Sequence, residues 1–256
     1  ADRGDPVQMY NYALFIHMNQ DHPESYNDEV FTYMQRASEK HYSDALFWLG
    51  SHYLHGKDGY ETNYIKSREY LEKAAKYGNV QSQIILALNY THGITPRSTD
   101  LSEEEIEKLT WPCDPKRQFE YYRMAADWDE KAEQDSNRTN IGIQSFGYVD
   151  SLVINRDANL SSIEHYGMFL LEGRVIEKNI ELATNYFVVG EERGSRFCSI
   201  QLAIINNDAN KLKGIADESN DNIAQYEYAI KIQPTQESAD CSEWVRYMTL
   251  AADQGN

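Results

Sequence analysis

The chain is short of positive charge. Its 256 residues hold 24 Lys and Arg against 41 Asp and Glu, a formal net charge of −17. Phosphate contacts need clustered Lys and Arg, so this balance argues against nucleic acid and disfavours anionic membrane surfaces. It is compatible with a basic protein partner, although solubility is the commoner reason for acidity. Long apolar runs are missing too: none approaches the roughly 18 residues of a membrane-spanning helix. Cysteine is scarce and odd in number. Cys113, Cys198 and Cys241 show no CxxC spacing and no zinc pattern. A full disulfide framework is therefore not expected. A single Cys198–Cys241 pair stays open beside the reading of three inert thiols.

Catalytic signatures are also lacking. There is no GxGxxG, GxxxxGK[ST], GxSxG or HExxH, and nothing orders Ser, His and Asp into a triad. His52 and His55 stand at i, i+3, and His92 repeats the position of His55. No carboxylate or Cys lies at a ligand spacing beside them, so exposed, non-ligating histidines are expected. The expectation is a protein that is not an enzyme and uses no cofactor or metal.

What the sequence does have is a repeated phrase. "YLEKAAKYGN" occupies 70–79, "YMTLAADQGN" occupies 247–256, and the chain opens on "ADRGD". Counting nine residues on from Gly4, Gly78 and Gly194 reaches Ala13, Ala87 and Ala203. His41 stands where a Gly is expected, and nine residues on lies Gly50. Gly167 joins this column of small residues after an insertion. A second column runs through Tyr33, Tyr70, Tyr121, Tyr186 and Tyr247, with Ala37, Ala74, Ala125 and Ala251 four residues later and Gly190 in the remaining slot. Residues at i and i+4 share a helix face. Each unit therefore reads as two helices. Helix A carries the small residue, as in "ALFWLGSHYLHG" (45–56), and helix B ends on the phrase, as in "SREYLEKAAKYGN" (67–79). A small residue at a helix crossing lets two backbones approach closely. A lone pair cannot bury its apolar face, whereas stacked pairs can.

These motifs resemble the Sel1-like repeats, relatives of the tetratricopeptide repeats. The closest matches are 45–56 with 67–79, and "WVRYMTLAADQGN" (244–256); "HYGMFLLEG" (165–173) with 179–195 is weaker, because Gly190 replaces the first Ala of its phrase. The expected fold is an all-α, right-handed α/α solenoid of about five helix pairs in one domain. The pairs fall near 6–18 with 26–40, 43–55 with 64–77, 80–92 with 115–128, 160–172 with 178–193, and 196–206 with 241–253. Insertions are expected near 93–115, 130–159 and 207–240, with a capped helix in "STDLSEEEIEKL" and another near 221–232. "ADRGD" aligns with "ADQGN" (252–256), which predicts a portion of a longer repeat protein or an array continued by head-to-tail self-association.

The resemblance implies a non-enzymatic scaffold or adaptor that binds another protein on a concave helix-A surface. Two narrower readings follow: an immunity-type inhibitor of a basic secreted toxin, and an adaptor of endoplasmic-reticulum degradation. The sequons at Asn89, Asn137 and Asn159 allow the second. A secreted, periplasmic or luminal compartment is favoured over the cytoplasm. A β-lactam-binding hydrolase is the remote alternative, since Sel1-like proteins of that kind carry a Cys pair in nearly every repeat and this chain does not. In helix A the residues two before and two after the small one lie at about 160° and 200° from it. They are Asn11 and Phe15, Trp48 and His52, Ile85 and Asn89, His165 and Phe169, Gln201 and Ile205. These are the expected partner contacts. Trp111, beside Pro112 in an insertion, is either packed down or a further contact.

Overall fold

The computed structural model describes residues 4–18, 27–56, 61–94, 102, 106, 110–127, 146–234 and 241–254. Among these there are twelve α-helices and no strand, only an isolated antiparallel bridge between Ile94 and Trp111. The helices are α1 (Pro6–Met18), α2 (Asn27–Glu39), α3 (Ser43–His55), α4 (Tyr64–Lys76), α5 (Val80–His92), α6 (Pro115–Ala126), α7 (Phe146–Glu172), α8 (Ile180–Glu192), α9 (Arg196–Ile205), α10 (Ala209–Ser219), α11 (Asn222–Lys231) and α12 (Ser242–Asp253). The chain divides into two compact units, Ala1–Ser162 and Ile163–Asn256. In each, helices pack mainly on their neighbours in sequence, the pattern of an α-solenoid.

The repeated phrase is a stop-and-restart device. Its Gly adopts the left-handed conformation at Gly4, Gly78 and Gly194; after α4 and α8 this ends the helix with little steric cost. The amide after it reaches back five residues, Asn79 to the Ala74 carbonyl at 3.0 Å and Ser195 to that of Gly190 at 2.9 Å. The same residue then caps the next helix: the Asn79 side chain accepts from the Ser82 amide, and Ser195 from that of Cys198. His41 takes the Gly position with φ 61°.

The small column marks close crossings. A β-carbon on Gly50 would lie 2.8 Å from Cγ of Leu71, and Ser67 donates a hydrogen bond to the Gly50 carbonyl at 2.8 Å. A β-carbon on Gly167 would collide with the ring of Phe187. Each member of the Tyr column meets a helix-A tyrosine. Where that partner lies three residues after the small residue, the rings stack: Tyr53–Tyr70 at 5.8 Å and Tyr90–Tyr121 at 5.9 Å. Where it lies one residue before, they meet edge to face: Tyr12–Tyr33 at 4.9 Å, Tyr166–Tyr186 at 4.8 Å and Tyr228–Tyr247 at 4.8 Å. Helix position thus selects ring geometry.

Two expectations are corrected. Residues 146–159, expected in an insertion, are helical and continue into α7. The segment 207–240, expected as an insertion with one helix, holds two, α10 and α11. Helix α10 packs between α9 and α11, and α11 packs on α12, so this region contains two pairs rather than one, and six pairs stand among the described residues. Leu212, Ala216 and Asn220 stand where other units have Tyr, Ala and Gly, and Asn220 is left-handed at φ 49°. Nine residues beyond it lies Ala229, buried in the small column. Asn tolerates this conformation better than most non-glycine residues, so the unit carries no glycine at the end of its phrase. The helix expected in "STDLSEEEIEKL" lies mostly outside the described residues; Ser102, Ile106 and Thr110 are joined there by backbone bonds of helical spacing.

Candidate protein-binding face

The expected contact residues separate by burial. Phe15 and His165 are exposed. Asn11, Ile85, Asn89, Phe169 and Ile205 are half-buried. Trp48, His52 and Gln201 are buried, which corrects the expectation that they stand open to a partner; Trp111, expected either packed down or a contact, is packed down. Trp48 shares a core with Met9, Ala13, Met34 and Leu49. The His52 ring stacks on it at 3.5 Å, and His17 meets both rings edge-on. His52 Nδ1 lies 2.9 Å from the Trp48 carbonyl; a carbonyl only accepts, so Nδ1 carries the hydrogen. Trp111 pairs with Ile94 and packs edge-on against Tyr90 in a cluster with Leu71 and Leu86. The loop tryptophan is core.

The face is nearly free of charge. In α1, α3 and α5 together Asp44 is the single Asp, Glu, Lys or Arg. The partner helices α2, α4 and α6 hold fourteen charged residues, all of them Glu, Lys or Arg except Asp28. Asp44 accepts from Asn79 Nδ2 at 2.9 Å, and burial holds its carboxyl above the usual range despite hydrogen bonds from Asn79, Tyr42 and Ser43. Burial and then the Asp44 charge raise Tyr10, and the same pair of effects leads for Tyr42. Along the sequence, much of the acidic excess falls in 93–114 and 127–145. Asn89 Nδ2 is shielded and finds no acceptor among the described residues.

Other candidates take structural roles. Asn159 of one sequon is buried, and its Nδ2 donates to the Ala125 and Ala126 carbonyls at 2.6 and 3.1 Å, closing the end of α6. Asn89 lies within α5; Asn137 is outside the described residues. His55 Nδ1 lies 2.9 Å from the Ser51 carbonyl. No group of three or more His, Cys, Asp or Glu suited to a metal occurs among the described residues, nor any helix long and apolar enough to cross a membrane. All three thiols are free. The sequence did not signal an open cavity of about 370 Å³ in the second unit, lined by Glu191, Arg196, Ser199, Glu218 and Ser219. Glu191 is paired there with Lys211 at 2.7 Å, and that hydrogen bond, with one from Ser199, holds its carboxyl low. This signal lies in contacts between helices, not in any motif.

The family model for the Sel1 repeat matches residues 43–79, 161–188 and 245–256, so the resemblance read from the sequence is borne out over α3 and α4, the α7–α8 pair and the end of α12. A Sel1 repeat protein from Oxalobacter formigenes is similar in structure, with a TM-score of 0.54 at 15% identity over 98% of this chain and 84% of that one. A second likeness is to c5321, a protective antigen present in uropathogenic Escherichia coli strains displaying an SLR fold, with a TM-score of 0.48 at 17% identity over 99% of this chain and 55% of that one. The first supports the all-α repeat fold. No curated protein sequence matches the chain. Sel1 repeats are typically scaffolds for protein–protein contacts rather than enzymes.

Proposed function

We propose that the chain is a non-enzymatic scaffold that binds another protein along the exposed and half-buried part of the helix-A face. The observation that carries this reading is the segregation of charge: α1, α3 and α5 hold one carboxylate, already engaged, and no Lys or Arg, while their partners α2, α4 and α6 are heavily charged. A face that were only solvated would carry charge. In the first unit this face offers apolar surface at Ile85 with polar groups at Asn11 and Asn89; in the second, helix A offers Phe169 and His165. The test is capture of the partner by the full chain, then titration against Asn89→Ala and His165→Ala, with Lys76→Ala on α4 as control. The expected result is weaker binding for the first two and none of that loss for the control. Equal binding by all three variants overturns the reading.

A second reading rests on where the acid lies. The acidic segments 93–114 and 127–145 suit a basic partner, as in the inhibition of a basic toxin. Binding that collapses with added salt while A-face variants bind normally would favour it.

A further inference from the structure

Every A helix can be read in one register, counted from its small residue. The positions five and one before that residue are buried in α3 (Ala45, Leu49), α5 (Ser82, Leu86), α9 (Cys198, Leu202) and α11 (Ala224, Tyr228). In α5 and α9 they turn towards the preceding pair, whereas the tyrosines at the second position, Tyr12 and Tyr228, also meet Tyr33 and Tyr247 of their own pairs. In α9, Cys198 fills the space beside Gly190 of α8, and in α5, Leu86 packs on Leu71 and Ala75 of α4. In α1 the same positions hold Gln8 and Tyr12, and both are exposed, Tyr12 at 39%. Phe15, three residues on, is 66% exposed.

The opposite side of the register is open at the other end. In α9, Ile200 sits three residues before the small residue and is buried against Ala224 and Tyr228 of α11. In α11 that side carries Ile223, Tyr226 and Ile230, at 39%, 39% and 44% exposure. They fall at i, i+3 and i+7, a single apolar stripe. Beside it, Met248 and Ala252 of α12 occupy the register of Leu71 and Ala75 of α4, yet Met248 is only half-buried and Ala252 is exposed.

We infer that the stripe on α11 and α12 docks α1 of a second copy of this chain. The contact continues an interface that the molecule already makes between successive pairs, with Tyr12 and Phe15 supplying the side chains that Leu49 and His52, or Tyr228, supply internally. Both halves of the contact are on one chain, and they are different surfaces. It is therefore heterologous and propagates. Helix α1 carries no Asp, Glu, Lys or Arg, so no formal charge on that helix opposes docking; the net charge of −17 does oppose it, and added salt screens that repulsion.

The inference stands apart from partner binding on the A face, which a strict monomer could perform. Its test is sedimentation of the full chain from micromolar to near-millimolar concentration, at physiological and raised salt, with Phe15→Glu and Ile230→Glu. The wild type is expected to rise at least ~2-fold in average mass, more so at raised salt. Each variant alone should stay monomeric. Their equimolar mixture should form a one-to-one complex that grows no further, because one intact contact remains. Wild type that stays monomeric throughout overturns the inference. So does undiminished association of either variant, or a mixture that forms no complex while the wild type associates. If a variant loses its helical circular dichroism, Phe15→Ser or Ile230→Ser replaces it with the same expected pattern.

Discussion

The Sγ of Cys198 occupies the space that a β-carbon on Gly190 would fill. The two residues cross between α8 and α9, where other pairs place Ala37 with Ala45, or Ala216 with Ala224, all buried. The departure of Gly190 from the Ala column thus has a local cause: the larger thiol took the volume. Gly190→Ala is expected to cost about 1–3 kcal/mol through overpacking. The double variant Gly190→Ala with Cys198→Ala rebuilds the Ala–Ala crossing and should lose less than the sum of the two single changes. Urea unfolding of the four proteins measures this; strict additivity would show that the two side chains do not compete.

Cys198 is also expected to be silent to thiol reagents. Burial pushes its thiol up to about 11, while Cys113 and Cys241 are exposed. At pH 8 an aromatic disulfide should titrate Cys113 and Cys241 rapidly, and Cys198 only on unfolding. The folded value lies above the ordinary 9.0, so the neutral thiol contributes stability that is complete below that value and is lost as the pH rises through about 11. Fast labelling of all three thiols in the native protein would contradict the burial.

Trp48→Ala should lower stability by about 3–5 kcal/mol, because the indole is buried among Met9, Ala13 and Met34 and carries the stacked His52. The melting temperature and helical signal report it. A melting temperature close to wild type would return Trp48 to the binding face.

At Asn220 the backbone is left-handed and the side-chain oxygen accepts from Gln225 Nε2 at 2.9 Å. Asn220→Ala loses both adaptations and should cost about 1–2 kcal/mol. Asn220→Gly loses only the hydrogen bond and should cost less. The reverse order in thermal melts would mean that this residue does not end α10 as the phrase glycines end their helices.

Replacing Gly50 by Leu forces α3 from α4 at the crossing with Leu71, 2.8 Å from where a β-carbon would begin. The expected loss is at least about 3 kcal/mol, read as a fall in the urea midpoint. A tolerated Gly50→Leu would show that the small column does not set the approach of the two helices.

What is local and periodic was legible in the residues alone. Helix α3 runs over 43–55 as expected, and α4, α5 and α9 fall within two residues of expectation, because caps and left-handed stops act within a few residues of their own positions. The α10–α11 region escaped, since Leu212 and Asn220 meet the same physical demands as Tyr and Gly with other side chains. Burial of the binding face was decided only in the tertiary structure. Trp48, Ile85 and Gln201 hold one register position, yet Trp48 and Gln201 are buried and Ile85 is half-buried. A helix's period fixes the direction of a side chain. Whether that direction meets water depends on what other helices and connections place there, as His17 of α1 does over Trp48.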